Sequence, residues 1–166
     1  MANNEWATPL NYLHSARIVM GSIDLDPASN HSAQENVKAE TYYTQEMDGL
    51  QHHWQGKTWI NPPFGRGLAK PFMEKLIKHY VAGDVLEAIV LTNNVTDTAW
   101  FADTLGTHAA MFCFPSPRIQ FITPPGTKKS SNSHGQVFSY FGRWPAKFVE
   151  EFGQYGIIAA PIRKIT

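Results

Sequence analysis

The sequence predicts a three-layer α/β fold on a mainly parallel sheet, with an antiparallel hairpin at one sheet edge. Three observations predict it. Short β-prone runs alternate with helically periodic segments through most of the 166 residues. The run Leu86-Glu87-Ala88-Ile89-Val90-Leu91 is almost continuously apolar, as in a strand buried on both faces. The later strands follow one another with fewer helices between them, which suits a hairpin.

Thr8-Pro9 opens the first helix, with Thr8 as N-cap and Pro9 at the first helical position. Leu10, Leu13, Arg17 and Met20 fall near one face, and Gly21 stops the helix. Ile23-Asp24-Leu25 reads as a short strand leading into Asp26-Pro27-Ala28-Ser29-Asn30, a turn rich in capping residues. A short helix follows from about Ser32 to Lys38, and Thr41-Tyr42-Tyr43-Thr44 is a second strand. Glu46-Met47-Asp48-Gly49 is a loop with two acids. Lys57 to Asn61 is a strand, and a helix begun near Pro71 carries Phe72, Leu76 and Tyr80 before Gly83 ends it.

After the apolar run, Thr92-Asn93-Asn94 reads as a polar loop, and Thr96 caps a helix holding Trp100, Phe101 and Leu105. Met111 to Phe114 is a buried strand, and Arg118 to Ile122 is β-prone as well. Residues 123–135 form the least core-like segment, turn-rich and locally basic, expected to be a mobile loop. Gln136 to Phe141 is a strand; Pro145 to Phe152 is a helix with Phe148, Val149 and Phe152 inward; Ile157 to Ala160 is a last strand.

The length suits one domain over residues 1–166. Fourteen Lys and Arg balance fourteen Asp and Glu, so no overall basic charge announces a nucleic-acid partner; a local basic loop still suffices for one. The lone Cys113 sits in an apolar run and reads as a core residue, which excludes an internal disulfide and a cysteine-rich zinc site. The histidines, among them His52, His53 and His108, lack metal spacing, and no metal is expected. The N-terminus is polar, and no apolar run approaches the roughly 20 residues of a membrane span, so a reducing, cytoplasmic compartment is expected.

One stretch carries a chemical suggestion. In Trp59-Ile60-Asn61-Pro62-Pro63-Phe64-Gly65 an apolar strand ends in an amide, two prolines and a ring. The prolines fix their own φ and push Asn61 out of the helical region, giving a stiff corner. The Asn side-chain oxygen and a neighbouring carbonyl can each accept one N–H of an aromatic amine, freeing its lone pair for attack on a methyl group. The Phe64 ring can stack on the flat base. By itself the corner is equally a proline-rich turn closing a buried strand. In a parallel sheet, ligands sit at the carboxyl ends of the strands, where Asp26, Asp48, Asn61 and Asn93 all fall.

An ordered set of motifs extends this. Glu5-Trp6-x-Thr8-Pro9, Asp24-Leu25-Asp26-Pro27-Ala28-Ser29, Asp48-Gly49-Leu50 and the Asn61-Pro62-Pro63-Phe64 corner are followed by Asn93-Asn94-Val95-Thr96-Asp97-Thr98-Ala99-Trp100-Phe101. Phe114-Pro115, Arg118-Ile119-Gln120-Phe121 and Gly135-Gln136 complete it. The set resembles the small phage-type Dam family of DNA adenine-N-6 methyltransferases, from about Trp6 to Gly153. The resemblance implies a Rossmann-like class I methyltransferase fold, S-adenosylmethionine as methyl donor, and adenine in double-stranded DNA as acceptor, reached by base flipping inside a bacterial host's cytoplasm. GATC is the family's first-guess site.

It also implies roles. Asn61, Pro62, Pro63 and Phe64 match the catalytic tetrapeptide. Asp26 and Pro27 match the cofactor motif, with Ala28, Ser29 and Asn30 standing where the family carries glycines. Asp48 matches the acid on the cofactor adenine, Glu46 is the candidate for the ribose, and Trp6, Thr8 and Pro9 resemble the N-terminal cofactor motif. Arg66, Arg118, Lys128 and Lys129 are the candidate phosphate contacts, with Arg118 equally readable as a salt-bridged edge-strand residue. The competing readings are a methyltransferase acting on RNA adenine or a protein glutamine, and a non-catalytic nucleic-acid-binding module. The oligomeric state stays open, a monomer included.

Overall fold

The computed structural model describes residues 6–123 and 132–162. Helix α1 (Leu10–Met20) precedes β1 (Leu25–Asp26), α2 (His31–Val37), β2 (Thr41–Tyr42) and a short 3-10 turn (Gly49–Gln51). Then come β3 (Gly56–Ile60), α3 (Ala69–Ala82), β4 (Val85–Asn93), and α4 (Ala99–Phe101), which runs on into a wider π-type turn (Ala102–Gly106). Strands β5 (Met111–Pro115) and β6 (Gln136–Phe141), helix α5 (Pro145–Phe152) and β7 (Gly156–Ala159) complete the chain.

The strands form one seven-stranded sheet in the order β2-β1-β3-β4-β6-β5-β7. The pairings from β2 to β4 are parallel, and those from β4 to β7 antiparallel. The antiparallel part is larger than an edge hairpin: β6 inserts between β4 and β5.

Side-chain alternation sorts the core onto two faces. Trp59, Ile89, Leu91, Phe138 and Tyr140 pack with α1 and α5 through Leu13, Ala16, Phe148 and Phe152. Their strand neighbours Ile60, Ala88, Val90, Val137 and Phe141 pack with α3 and α4 through Met73, Leu76 and Phe101. This yields the expected three layers. Gly83 closes α3 at φ 85°, and Asn30 caps α2 by accepting from the Ala33 amide at 2.7 Å. Cys113 is fully buried, and burial pushes its thiol up to about 12.

Several local expectations change. Thr8 does not cap α1, which starts at Leu10 with Pro9 as N-cap and no side-chain cap bond. Leu10 is 56% exposed, so the apolar face of α1 excludes it. Thr92-Asn93 belongs to β4, because pairing with Val137 and Gln136 carries the strand two residues past its apolar run. Thr98, rather than Thr96, precedes α4. Arg118–Ile122 forms no strand; only Ile122 pairs, in an isolated antiparallel bridge to Ala7. Val149 is 36% exposed, since Phe148 and Phe152 alone fill the inward face of α5. Most of the proposed mobile loop lies outside the described residues.

Phe152 packs against Phe148 at 4.5 Å and Phe138 at 5.0 Å between ring centroids. Phe152→Ala leaves a cavity at the centre of this stack and should cost about 3–5 kcal/mol. Urea unfolding measures it; a loss below ~1 kcal/mol would contradict the packing described.

Candidate active site

A cavity of about 1700 Å³ opens at the carboxyl ends of β1, β3 and β4. Asp26, Asp48, Asn61 and Asn93 all line it, as do Trp6, Thr8, Pro27, Ala28, Ser29, Glu46, Pro62, Pro63, Phe64 and Arg66. Pro9 and Arg118 do not. Lys128 and Lys129 lie outside the described residues. Arg118 is exposed, off any strand and without an ion pair among the described residues, so the salt-bridged edge-strand reading does not hold.

Asn61 follows the last residue of β3. Its Nδ2 donates to Thr8 Oγ1 at 3.2 Å, which is where the Thr8 hydroxyl goes instead of capping α1. Its Oδ1 is buried and has no donor. A buried acceptor left unpaired costs about 1–3 kcal/mol, so the atom is a candidate for a ligand N–H. Thr92 Oγ1, which also belongs to the cavity lining, has no partner among the described residues either. The Phe64 ring meets the Phe121 ring edge-on at 5.5 Å, and Phe121 meets Trp6 at 6.1 Å. Paired backbone bonds between Ala7 and Ile122, both 2.9 Å, hold this aromatic row. The N-terminal segment thus braces both the amide and the ring of the corner.

Asp26 is 3% exposed. Its Oδ2 accepts from Gln34 Nε2 at 2.9 Å, and its Oδ1 from the Ala28 amide at 3.3 Å. Burial nevertheless outweighs these donors and pushes the carboxyl up to about 7. No cation faces it among the described residues, so a ligand ammonium would fit. Asp48 is exposed, at φ 49°, and accepts from the Leu50 amide and Gln51 Nε2, both at 3.1 Å. Glu46 is exposed, and the Thr44 hydroxyl holds its carboxyl below the usual range.

Gly49 joins the two acidic segments. A Cβ there would lie 1.9 Å from the Pro27 carbonyl oxygen, so only glycine lets the Asp48 loop lie on the Asp26-Pro27 turn. Trp54, fully buried, donates its indole N–H to the Gly49 carbonyl at 2.8 Å from the other side.

The cavity also holds three amides, Asn93, Asn132 and Gln136, whose mutual contacts the sequence did not single out. Gln136, at the start of β6 and 3% exposed, donates from Nε2 to Asn93 Oδ1 at 3.0 Å and accepts at Oε1 from Asn132 Nδ2. Pairing of β6 with β4, invisible as a motif, brings them together. At the amino ends of β3 and β4, away from this cavity, His53 Nε2, His79 Nδ1 and Asp84 Oδ2 lie within 4.8 Å of one another, although their sequence spacing suggests no cluster.

No helix among the described residues is long and apolar enough to cross a membrane. A family model described as DNA N-6-adenine-methyltransferase (Dam) matches residues 1–158. A protein of Haemophilus phage HP1 (strain HP1c1), named DNA N-6-adenine-methyltransferase, is 29% identical over 140 residues, 82% of this chain and 77% of its own. No solved structure matches.

Asp26 gives a stability test. Its folded-state carboxyl holds its proton up to about pH 7, against 3.8 for the free group, so the folded state binds the proton more tightly. Stability therefore falls as pH rises between those values and levels off above the upper one. Asp26→Asn removes this fall. Urea unfolding across the window should show the variant gaining on the parent as pH rises; a constant difference would exclude the buried titration.

Proposed function

Because the chain belongs to the Dam family of DNA N-6-adenine-methyltransferases, we propose that it transfers the methyl group of S-adenosylmethionine to the exocyclic amine of an adenine flipped out of double-stranded DNA. The observation that carries this reading is Asn61 Oδ1, a buried acceptor without a donor at a strand end in a large cavity. The cavity's about 1700 Å³ exceeds the ~300–1,000 Å³ of a single-ligand pocket, leaving room for a cofactor and a base together. With this reading go a Rossmann-like class I methyltransferase topology, one domain, and work in a bacterial host's cytoplasm.

An adenine amine is a weak nucleophile because its lone pair is delocalised into the ring. Asn61 Oδ1 and the Pro62 carbonyl accept its two N–H bonds and draw the nitrogen towards tetrahedral geometry. Phe64 stacks on the base, with Phe121 behind it. Thr8 holds the Asn61 amide so that Oδ1 is the atom offered. Bound S-adenosylmethionine supplies an electrophilic sulfonium methyl. Asp26 receives its ammonium group, which favours the ionised carboxylate that burial alone opposes. Asp48 would accept from the cofactor's adenine amine and Glu46 from its ribose, with Trp6, Pro27, Ala28 and Ser29 shaping the pocket and Pro9 acting only by positioning Thr8. Once nitrogen bears four substituents it is acidic; its proton at Asn61 Oδ1 passes to water, because an amide oxygen is too weak a base to keep it. Flipping costs a few kcal/mol, offset by stacking and phosphate contacts from Arg66, Arg118, Lys128 and Lys129.

Incubation with labelled cofactor and separate DNA, RNA and protein pools should label DNA alone. Label in RNA or on glutamine would replace the DNA reading. Plasmid methylated in a methylation-free host, mapped by single-molecule sequencing, identifies the site, with GATC the first sequence to check. Asn61→Ala should lower transfer roughly 100-fold or more while S-adenosylhomocysteine still binds. Full retained activity would sink the assignment.

Thr8→Val keeps the shape and removes the acceptor of the Asn61 amide. It should lower kcat about tenfold with little change in KM for the cofactor, and Thr8→Ser should restore the rate. An unchanged kcat in Thr8→Val would remove Thr8 from this role.

A further inference from the structure

An amide can present a donor or an acceptor by a half-turn, so its use in recognition requires a lock. The cavity lining beside Asn61 contains one. Asn132 is fixed by backbone groups that cannot change role: its Nδ2 donates to the Ile119 carbonyl at 3.2 Å, and its Oδ1 accepts from the His134 amide at 3.2 Å. Gln136 must then turn Oε1 to Asn132 Nδ2, at 2.5 Å, and Nε2 to Asn132 Oδ1, at 3.3 Å. The second Nε2 proton meets Asn93 at 3.0 Å, and only Oδ1 can accept it. The orientation set at Ile119 and His134 therefore passes through two amides to a third. Asn93 Nδ2 is left half-buried on the cavity wall, with no partner among the described residues.

Asn61 follows β3 and Asn93 ends the adjacent parallel β4, one and three residues beyond the paired Ile60 and Val90. The cavity floor thus carries an acceptor, Asn61 Oδ1, and a locked donor, Asn93 Nδ2. Adenine's edge carries an amine donor flanked by ring-nitrogen acceptors, whereas guanine and thymine carry a carbonyl at the amine's position. Cytosine repeats the donor–acceptor order on a smaller ring.

On the reading that Asn61 receives the target amine, we propose that Asn93 Nδ2 donates to a ring nitrogen of the target base beside that amine, with Gln136 and Asn132 as the positioning residues that keep it a donor. The site rejects guanine and thymine because their carbonyl would face the Asn61 oxygen.

The experiment is a cycle between substrate and enzyme. Duplexes carrying the mapped site are made with adenine, 1-deazaadenine or 7-deazaadenine at the target position, so that each ring nitrogen is removed in turn. Wild-type enzyme should lose about tenfold in kcat/KM on one of the two analogues. Asn93→Leu should lose about as much on adenine and show no further loss on that analogue, while S-adenosylhomocysteine binding stays unchanged. Gln136→Glu tests the relay. Its carboxylate accepts only, so Asn93 turns Nδ2 towards it and Oδ1 to the cleft; analogue sensitivity should disappear as in Asn93→Leu. Losses that multiply fully between Asn93→Leu and both analogues would overturn the proposal, as would wild-type indifference to both. If wild-type enzyme methylates no duplex adenine, the proposed function itself falls and this inference with it. Activity on adenine with a multiplicative cycle removes the inference alone.

Discussion

The parallel pairing of Gly56–Ile60 with Val85–Asn93 is the constraint on which the cleft depends. It is flush from Lys57 to Ile60, after an irregularity at Gly56. Both faces are filled, with Trp59, Ile89 and Leu91 on one side and Ile60, Ala88 and Val90 on the other. A one-residue slip of either strand would exchange these sets between a face lined by α1 and α5 and a face lined by α3. Core packing therefore fixes how far Asn61 and Asn93 project at the strand ends. The antiparallel ladder from Ala88↔Phe141 to Asn93↔Gln136 adds the third member, placing Gln136 beside Asn93.

Around that floor the chain leaves some polar groups unpaired and holds its loops by close contact. Asn61 Oδ1 and Thr92 Oγ1 have no partner, and the Asp26 carboxyl keeps its proton well above its ordinary range. Each raises the energy of the empty fold. The compensation lies away from the cleft, in the stacked rings of Tyr140, Phe148 and Phe152 and in the Tyr140 hydroxyl donating to Glu87 at 2.6 Å. The Gly49–Pro27 contact does the corresponding work for the loops. Two segments that share no sheet hydrogen bond lie in close contact because a carbonyl fills the space a side chain would occupy.

What the sequence displays is local, and what it conceals is pairing. The proline corner at Asn61, the apolar run of β4 and the helix stop at Gly83 are set by dihedral preference and composition, and all stand where expected. Thr8 has the residue type and position of an N-cap; it serves Asn61 instead because α1 brings it within 3.2 Å of an amide 53 residues away. Arg118–Ile122 has strand composition, but its edge offers one partner, Ala7, so only a bridge forms. Thr92-Asn93 looks like a loop because it is polar, and is a strand because β6 lies against it. The turn between α3 and β4 joins His79 to Asp84, and the pairing of β3 with β4 at Gly56 and Val85 brings His53 to them. The roles of Asp26 and Asp48 were suggested by motif order; the shared cavity shows only that they are neighbours across one space.

The charge balance bears on how such a protein selects DNA. With equal numbers of basic and acidic residues, long-range attraction to phosphate is weak, and base-independent binding rests on a few local basic side chains. Discrimination then falls to short-range hydrogen bonds in a buried site. A lysine would supply a permanent donor there, but at the cost of desolvating a charge beside a cofactor that is itself cationic. An amide avoids that charge but is ambiguous between donor and acceptor. The row from Ile119 through Asn132 and Gln136 to Asn93 removes the ambiguity with neutral groups only, and its two backbone anchors cannot titrate or rotate. On the proposed reading, such an amide row would read one edge of a base without changing the charge that a bound sulfonium and the Asp26 carboxylate would have to balance.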